Sequence, residues 1–279
     1  MRSDALAFIV RRNVITTVAA VLIVLLVVIA IVGPALVPYD PLATSATEVL
    51  MPPSARHWFG TDGLGRDIFS RVIVAARLDI AIAVSAVALS AVVGVSIGAV
   101  SGYVGGALDR VLSRVVDVMM AFPLFVAAMA LVAVFGNSVK SIVLATAIIN
   151  LPFYFRLIRA EIMARRSIGY VEAAVITGNS ATNVIFRFLV PNSLPPVIVQ
   201  VSLNLGWAIL NASGLAFIGL GVAPPTPEWG IMIQEGAALM LSGEWWVVVF
   251  PGLALVLSVF CFSLLGDGIR DVIDPRRRS

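Results

Sequence analysis

Six stretches of this 279-residue chain are apolar for about 20 residues or more each, and that repetition limits the fold more than any single motif does. They lie near residues 14–37, 79–104, 112–135, 139–160, 195–222 and 245–267. A helix of that length crosses the hydrocarbon of a bilayer with every backbone polar group paired internally, which open strands cannot do. The expected fold is all-α, a polytopic membrane bundle of six transmembrane helices. With 60% hydrophobic and 13% charged residues, the chain is far more apolar than one soluble core requires. Pro123 and Pro152 fall inside expected spans and should bend them, since each removes a backbone donor. The first stretch is longer than a signal-peptide core and lacks an A-x-A site, so it reads as a retained span, and Arg11-Arg12 before it as an orienting charge.

The basic residues fix an expected orientation. With both ends cytoplasmic, Arg2, Arg11, Arg12, Arg110, Arg114, Arg156, Arg159, Arg165, Arg166, Arg187, Arg270, Arg276, Arg277 and Arg278 all fall inside. Only Arg56, Arg66, Arg71, Arg77 and Lys140 fall outside. This places residues 38–78 and 223–244 outside and makes 161–194 the main cytoplasmic loop. Three parts follow: 1–78, a first helix with an external loop and an interfacial segment; 79–269, a transmembrane core; and 270–279, a basic tail facing anionic lipid.

Several chemistries are excluded. Lys140 is the only lysine and follows Val139, so no phosphate-binding Gly-Lys-Ser/Thr loop exists, and no ATP or magnesium site is expected on this chain. His57 is the only histidine and Cys261 the only cysteine, which removes a Ser-His dyad, a His-paired metal site and a disulfide. No catalytic and no metal-ligating residue is assigned. A net charge of +3 spread over loops gives no nucleic-acid face. A stand-alone secondary carrier should show repeated halves or mid-membrane ionisable residues, and neither is evident. Asp117 is expected to pair with Arg114 or Arg110.

The cytoplasmic loop carries the strongest signal. From Arg165 to Asn192 it reads RRSIGYVEAAVITGNSATNVIFRFLVPN, too polar to span and too apolar for a free linker. Tyr170 to Thr177 should form a short helix, Gly178 its left-handed end, and Asn179 or Ser180 the cap of a second helix. Ala173 and Ala174 let another backbone approach closely, beside the single charge of Glu172. This stretch resembles the EAA loop of ATP-binding-cassette importer permeases, with Glu172, Ala173, Ala174, Gly178 and Pro191 in register and Phe188 and Val190 replacing the usual Ile and Leu. The resemblance implies a type I importer permease in which this loop is the coupling helix seated in a cleft of a separate ATPase. Candidate coupling residues are Arg165, Arg166, Tyr170, Glu172, Ala173, Ala174, Gly178 and Pro191.

Further stretches narrow the resemblance to the dipeptide, oligopeptide and nickel importer permeases, the C-type partner of each pair. HWFGTDGLGRDIFSRVIVAARLDI at 57–80 carries it through Phe59, Gly60, Thr61, Asp62, Gly65, Arg66 and Asp67, with Asp79 where a small polar residue is expected. Residues 102–123, 214–230 and 264–278 resemble the same permeases. The 57–80 segment should lie as a helix at the outer interface. Asp62, Arg66, Asp67, Glu228 and Trp229 are candidates for external docking, against the alternative that the first three pair with one another and cap the following helix. Trp229, Trp245 and Trp246 read as interfacial anchors, and His57 as a plain loop residue.

Along the fifth span Gln200, Asn204, Trp207 and Asn211 recur at helical spacing and form a polar stripe. The stripe either lines a translocation path or bonds a neighbouring helix. The resemblance implies a bacterial inner-membrane complex of this chain with a sister permease, two ATPase subunits that hold ATP and magnesium, and an external solute-binding protein. The cargo it implies is a di- or oligopeptide, with nickel, glutathione and opines as alternatives within the same family.

Overall fold

A computed structural model describes residues 14–273 of the chain. The readings placed on Arg2, Arg11, Arg12 and Arg276–Arg278 lie outside the described residues. The described part contains helices and no strands: α1 (Val14–Leu36), α2 (Ile68–Val104), α3 (Gly106–Ala121), α4 (Leu124–Phe135), α5 (Val139–Arg165), α6 (Gly169–Ile176), α7 (181–192), α8 (Leu194–Phe217), α9 (Trp229–Gly236) and α10 (Trp246–Ile273).

Five helices are long and apolar enough to cross a membrane, and the α3–α4 pair makes a sixth crossing if counted as one broken span. The expected third span is therefore not a single rod. Its axis turns by 97° at Phe122–Pro123, because Pro123 cannot continue the hydrogen-bond ladder and holds Phe122 in an extended conformation. Pro152 behaves differently, and α5 runs through it without a break.

The second span also departs from expectation. Helix α2 begins at Ile68, not near 79, and runs 37 residues. At about 1.5 Å per residue that is roughly 55 Å, against about 30 Å of hydrocarbon, so its first turns stand clear of the bilayer. Residues 57–67, expected as part of an interfacial helix, instead form tight turns closed by a Thr61–Asp67 bridge.

The core sits where α2 packs along α5, with α8 and α10 completing the bundle and α1 resting on α2 and α10. The α2–α5 contact is close because Gly94, Gly98 and Gly102 recur every fourth residue. A Cβ on Gly98 would lie 2.5 Å from Ile158 Cγ2 and 2.6 Å from the Phe155 carbonyl oxygen. In lipid, where apolar surface gains nothing from association, this backbone approach supplies the dispersion contacts that hold the two helices together. Tyr154, Ile158 and Ile162 of α5 are buried there with Ala83 and Val87 of α2 and Ala208 and Ile209 of α8.

Candidate coupling surface, translocation path and outer cap

The loop from Arg165 to Asn192, expected on the cytoplasmic side, folds as two short helices joined at a glycine. Helix α6 ends with the amide of Gly178 donating to Val175 O at 2.9 Å and that of Asn179 to Ala174 O at 3.2 Å, the pair of reversed bonds that closes a helix around a left-handed residue. Gly178 is that residue, with φ +83°. Ser180 Oγ then accepts from Asn183 N at 3.3 Å and starts α7. Within α7 the ladder widens to a π-turn over Val184–Leu189, where Pro191 lacks the N–H that Arg187 O would otherwise receive.

The loop has two unlike faces. Val171 and Ala174 of α6, with Val184, Ile185 and Leu189 of α7, are buried in the main core. Tyr170, Glu172, Ala173, Val175 and Ile176 point outward, and Ile176 is 85% exposed. Ala174 therefore faces inward, while Glu172 and Ala173 lie on the open side. Arg165 pairs with Glu161 one turn back, the Arg166 guanidinium reaches Gly102 O at 3.5 Å, and Pro191 is exposed.

Two ion pairs tie this end of α5 to α3. Arg159 grips Asp109 through two bonds of 2.5 and 2.6 Å, and Ser101 of α2 donates to the same carboxylate at 2.6 Å. Asp117 pairs with Arg156 at 2.6 Å, not with Arg114 or Arg110 as expected from sequence proximity. The bend after α3 turns Asp117 toward α5. Asp117 and Arg156 line a cleft of about 390 Å³ with Ser113, Val116 and Phe155.

The structure divides the polar stripe of α8. Gln200 and Asn211 are half-buried and Trp207 is 59% exposed, so these three face away from the core. Asn204 is buried and accepts from Gln200 Nε2 at 2.8 Å. Asn211 turns back to donate to Trp207 O at 2.9 Å.

The outer candidates are placed inward. Asp62, Arg66, Asp67, Glu228 and Trp229 are all buried. Asp62 accepts from Arg66 Nε at 2.6 Å, and Arg66 reaches Glu235 of α9 at 2.8 Å. Arg71, fully buried, adds a second contact to Glu235 at 3.4 Å and donates to Pro41 O and Pro225 O at 3.2 and 3.4 Å. Asp67 caps α2, accepting from the Ser70 amide at 2.8 Å, and contacts His57 Nδ1 at 2.9 Å. His57 is thus no plain loop residue: it is buried beside Tyr39 and ties the turns to the helix cap. Nor are two of the three tryptophans interfacial anchors. Trp229 donates to Val72 O at 3.1 Å and Trp246 to Thr61 O at 3.2 Å, both from buried positions, while Trp245 remains half exposed. Residues 39–71, the turn around Pro225 and α9 form one cap held by buried charge.

Sequence reasoning missed Glu235, Asp109 and the central place of Arg71, which only tertiary contact reveals. It also passed over the Gly94-xxx-Gly98-xxx-Gly102 spacing, a legible signal for close helix packing.

Comparison with known proteins gives consistent likenesses. Residues 94–279 match the family model described as the binding-protein-dependent transport system inner membrane component, and residues 8–53 the N-terminal TM domain of oligopeptide transport permease C. The chain is 43% identical to a probable D,D-dipeptide transport system permease protein of Escherichia coli K12, over 97% of this chain and 91% of that one. It is 39% identical to a dipeptide transport system permease protein of Alkalihalophilus pseudofirmus, over 96% and 88%. It is 40% identical to a glutathione transport system permease protein of Escherichia coli O6:K15:H31, over 95% and 88%. In fold it resembles a chain of the MetNI methionine ABC transporter in an inward-facing conformation, with a TM-score of 0.59 at 16% identity, covering 73% of this chain and 96% of that one.

Proposed function

Because this chain belongs to the family of binding-protein-dependent transport system inner membrane components, a multi-pass permease family of ABC importers, we propose that it carries short peptides inward as one half of a permease pair. The relatives named above are described as permeases for D,D-dipeptides, dipeptides and glutathione, and glutathione is itself a tripeptide. A di- or tripeptide is the cargo class common to all three names.

The observation that carries the mechanism is the two-faced cytoplasmic loop. Its inner face is welded into the core by Val171, Ala174 and Leu189, while its outer face presents Glu172, Ala173, Val175 and Ile176 with no covering element among the described residues. A helix fixed on one side and open on the other transmits a push as rigid-body motion. The pusher is a separate ATPase that holds ATP and magnesium and closes on nucleotide. Two such subunits, a sister permease and an external binding protein complete the machine, and both termini of this chain face the cytoplasm. Movement enters α5 through Arg165 and Arg166, and reaches α2 and α3 through Arg159, Asp109 and Ser101. Gln200, Trp207 and Asn211, the outward-facing part of the α8 stripe, line the passage toward the sister permease and offer weak hydrogen bonds and one aromatic face to a peptide backbone.

The test is ATP-dependent uptake of labelled di- and tripeptides into vesicles carrying the whole complex, with Glu172→Arg/Gly178→Pro alongside. The expected result is uptake by the parent, and a folded double variant that neither transports nor retains its ATPases. Normal transport by that variant removes the coupling role from the loop, and uptake of no peptide by the parent removes the cargo class.

A further inference from the structure

One buried cluster takes no part in coupling, passage or the arginine network of the cap. Asp79 lies in the fourth turn of α2, and Glu228 immediately precedes α9; each is 1% exposed. Their carboxyls are within hydrogen-bond reach of each other. One oxygen of each is accounted for: Asp79 Oδ2 accepts from the Trp229 amide at 3.2 Å, and Glu228 Oε2 from the Ile231 amide at 2.7 Å. The other two, Asp79 Oδ1 and Glu228 Oε1, are buried and make no hydrogen bond among the described residues, and neither does the buried Ser213 hydroxyl beside Glu228. The groups acting on the pair come from every element around it: the Trp229, Gly230 and Ile231 amides of α9 and the Ser213 hydroxyl of α8. No arginine, lysine or histidine is among them.

Two adjacent carboxylates, dry and without a cation, cannot both stay ionised. A buried carboxyl oxygen without a donor is satisfied when the neighbouring carboxyl keeps its proton. We infer that Asp79 and Glu228 share a single proton between Oδ1 and Oε1, and that this proton latches the proline-rich loop before α9 onto the outer part of α2. The proton belongs to the pair, and neither residue owns it.

The latch has neighbours that make it consequential. Trp229 is anchored to Val72 O of α2, and Gly230 sits so tightly on the Ser213 carbonyl of α8 that a Cβ has no room. The pair thus joins α2, α8 and α9 at the outer end of the bundle, where an outward opening must separate elements. Burial pushes the Glu228 carboxyl up from its ordinary range. For an acid raised by folding, the stabilisation is complete at low pH and is lost as pH rises through the raised value. The latch is therefore closed at low pH and opens as pH rises through the pair's raised value, when both carboxyls are charged and repel. This inference is independent of which cargo is carried.

The test uses the whole transporter in lipid nanodiscs. Infrared spectra should contain a protonated carboxylic acid band at neutral pH that is absent from Asp79→Asn/Glu228→Gln, whose amide supplies the missing hydrogen permanently. A spin label at Thr226→Cys, in the exposed part of the loop, should gain mobility over the pH range in which the band disappears, and should remain immobile throughout that range in the double variant. A wild-type spectrum in which no carboxylic acid band is lost as pH rises overturns the shared proton. A label indifferent to pH while the band titrates overturns the latch. Both readings can be taken on the wild-type pair alone, so neither depends on the double variant folding.

Discussion

The two ends of this molecule solve opposite problems. The outer cap is made of charged residues and buries them: Asp62, Arg66, Arg71, Asp67 and His57 lie within the fold and pair with one another. The cytoplasmic loop is made largely of apolar residues and exposes them: Ile168, Val175, Ile176 and Phe186 stand in the open. A buried charge network holds a shape because removing any member strands the others. An exposed apolar face on a rigid support is an interface waiting for its other half. The difference teaches that charge marks structure at one end of this protein, while apolar side chains stand exposed at the other, the reverse of the usual first guess.

The comparison breaks first at Arg71. Arg71→Met removes the buried cation that contacts Glu235 and two loop carbonyls. It should cost about 3 kcal/mol, the low end for breaking a buried pair, because Arg66 still faces Glu235. Thermal unfolding of the purified permease in detergent checks this, and a transition unmoved by the substitution would show that the cap's charges are decoration. Gly98→Val comes next. Its new methyls meet the Phe155 carbonyl, which cannot step aside as a side chain can, so overpacking should cost about 1–3 kcal/mol. The same unfolding measurement decides.

At the other end, Ile176→Asp should leave the unfolding transition where it is, since the side chain touches little of this chain. ATPase association, followed by co-purification or by titration in nanodiscs, should weaken at least tenfold, the order expected when a buried apolar contact becomes a buried carboxylate. If instead the fold weakens and association persists, the loop is a structural element like the cap and the contrast fails.

How much of this was legible follows from which forces are local. Most spans and the two short helices joined at Gly178 are written in runs and spacings, so their places along the chain could be read directly; the start of the second span, at Ile68 and not near 79, could not. The broken third span was half legible: Pro123 announced a bend, but the direction that carries Asp117 to Arg156 depends on how α3 meets α5. The outer cap was least legible. Its partners are separated by 169 residues in the Arg66–Glu235 bond and 150 in the Trp229–Asp79 bond, and no periodicity announces such pairs. Trp229 therefore reads as a surface group, whereas Asp62, Arg66 and Asp67, close together in sequence, also read as a pairing and capping set, which is how they sit. The α8 stripe has helical spacing, yet its members do not share one environment: Asn204 is buried against the bundle while Gln200, Trp207 and Asn211 face away, a division set by packing around α10 and α5.

The smallest expected effect separates the shape of the coupling loop from its chemistry. Gly178 has φ +83° and open space around it, so a methyl there meets no neighbour. Gly178→Ala therefore pays only the left-handed backbone penalty, about 1–2 kcal/mol, without any clash. That strain falls on the junction between α6 and α7, while Val171 and Ala174 still hold α6 in the core and Ile176 still faces out. ATPase association should thus fall by only a few fold in Gly178→Ala, against at least tenfold in Ile176→Asp. A hinge variant that lost association as fully as the face variant would mean that the angle between the two short helices, and not the apolar face, is what the ATPase recognises.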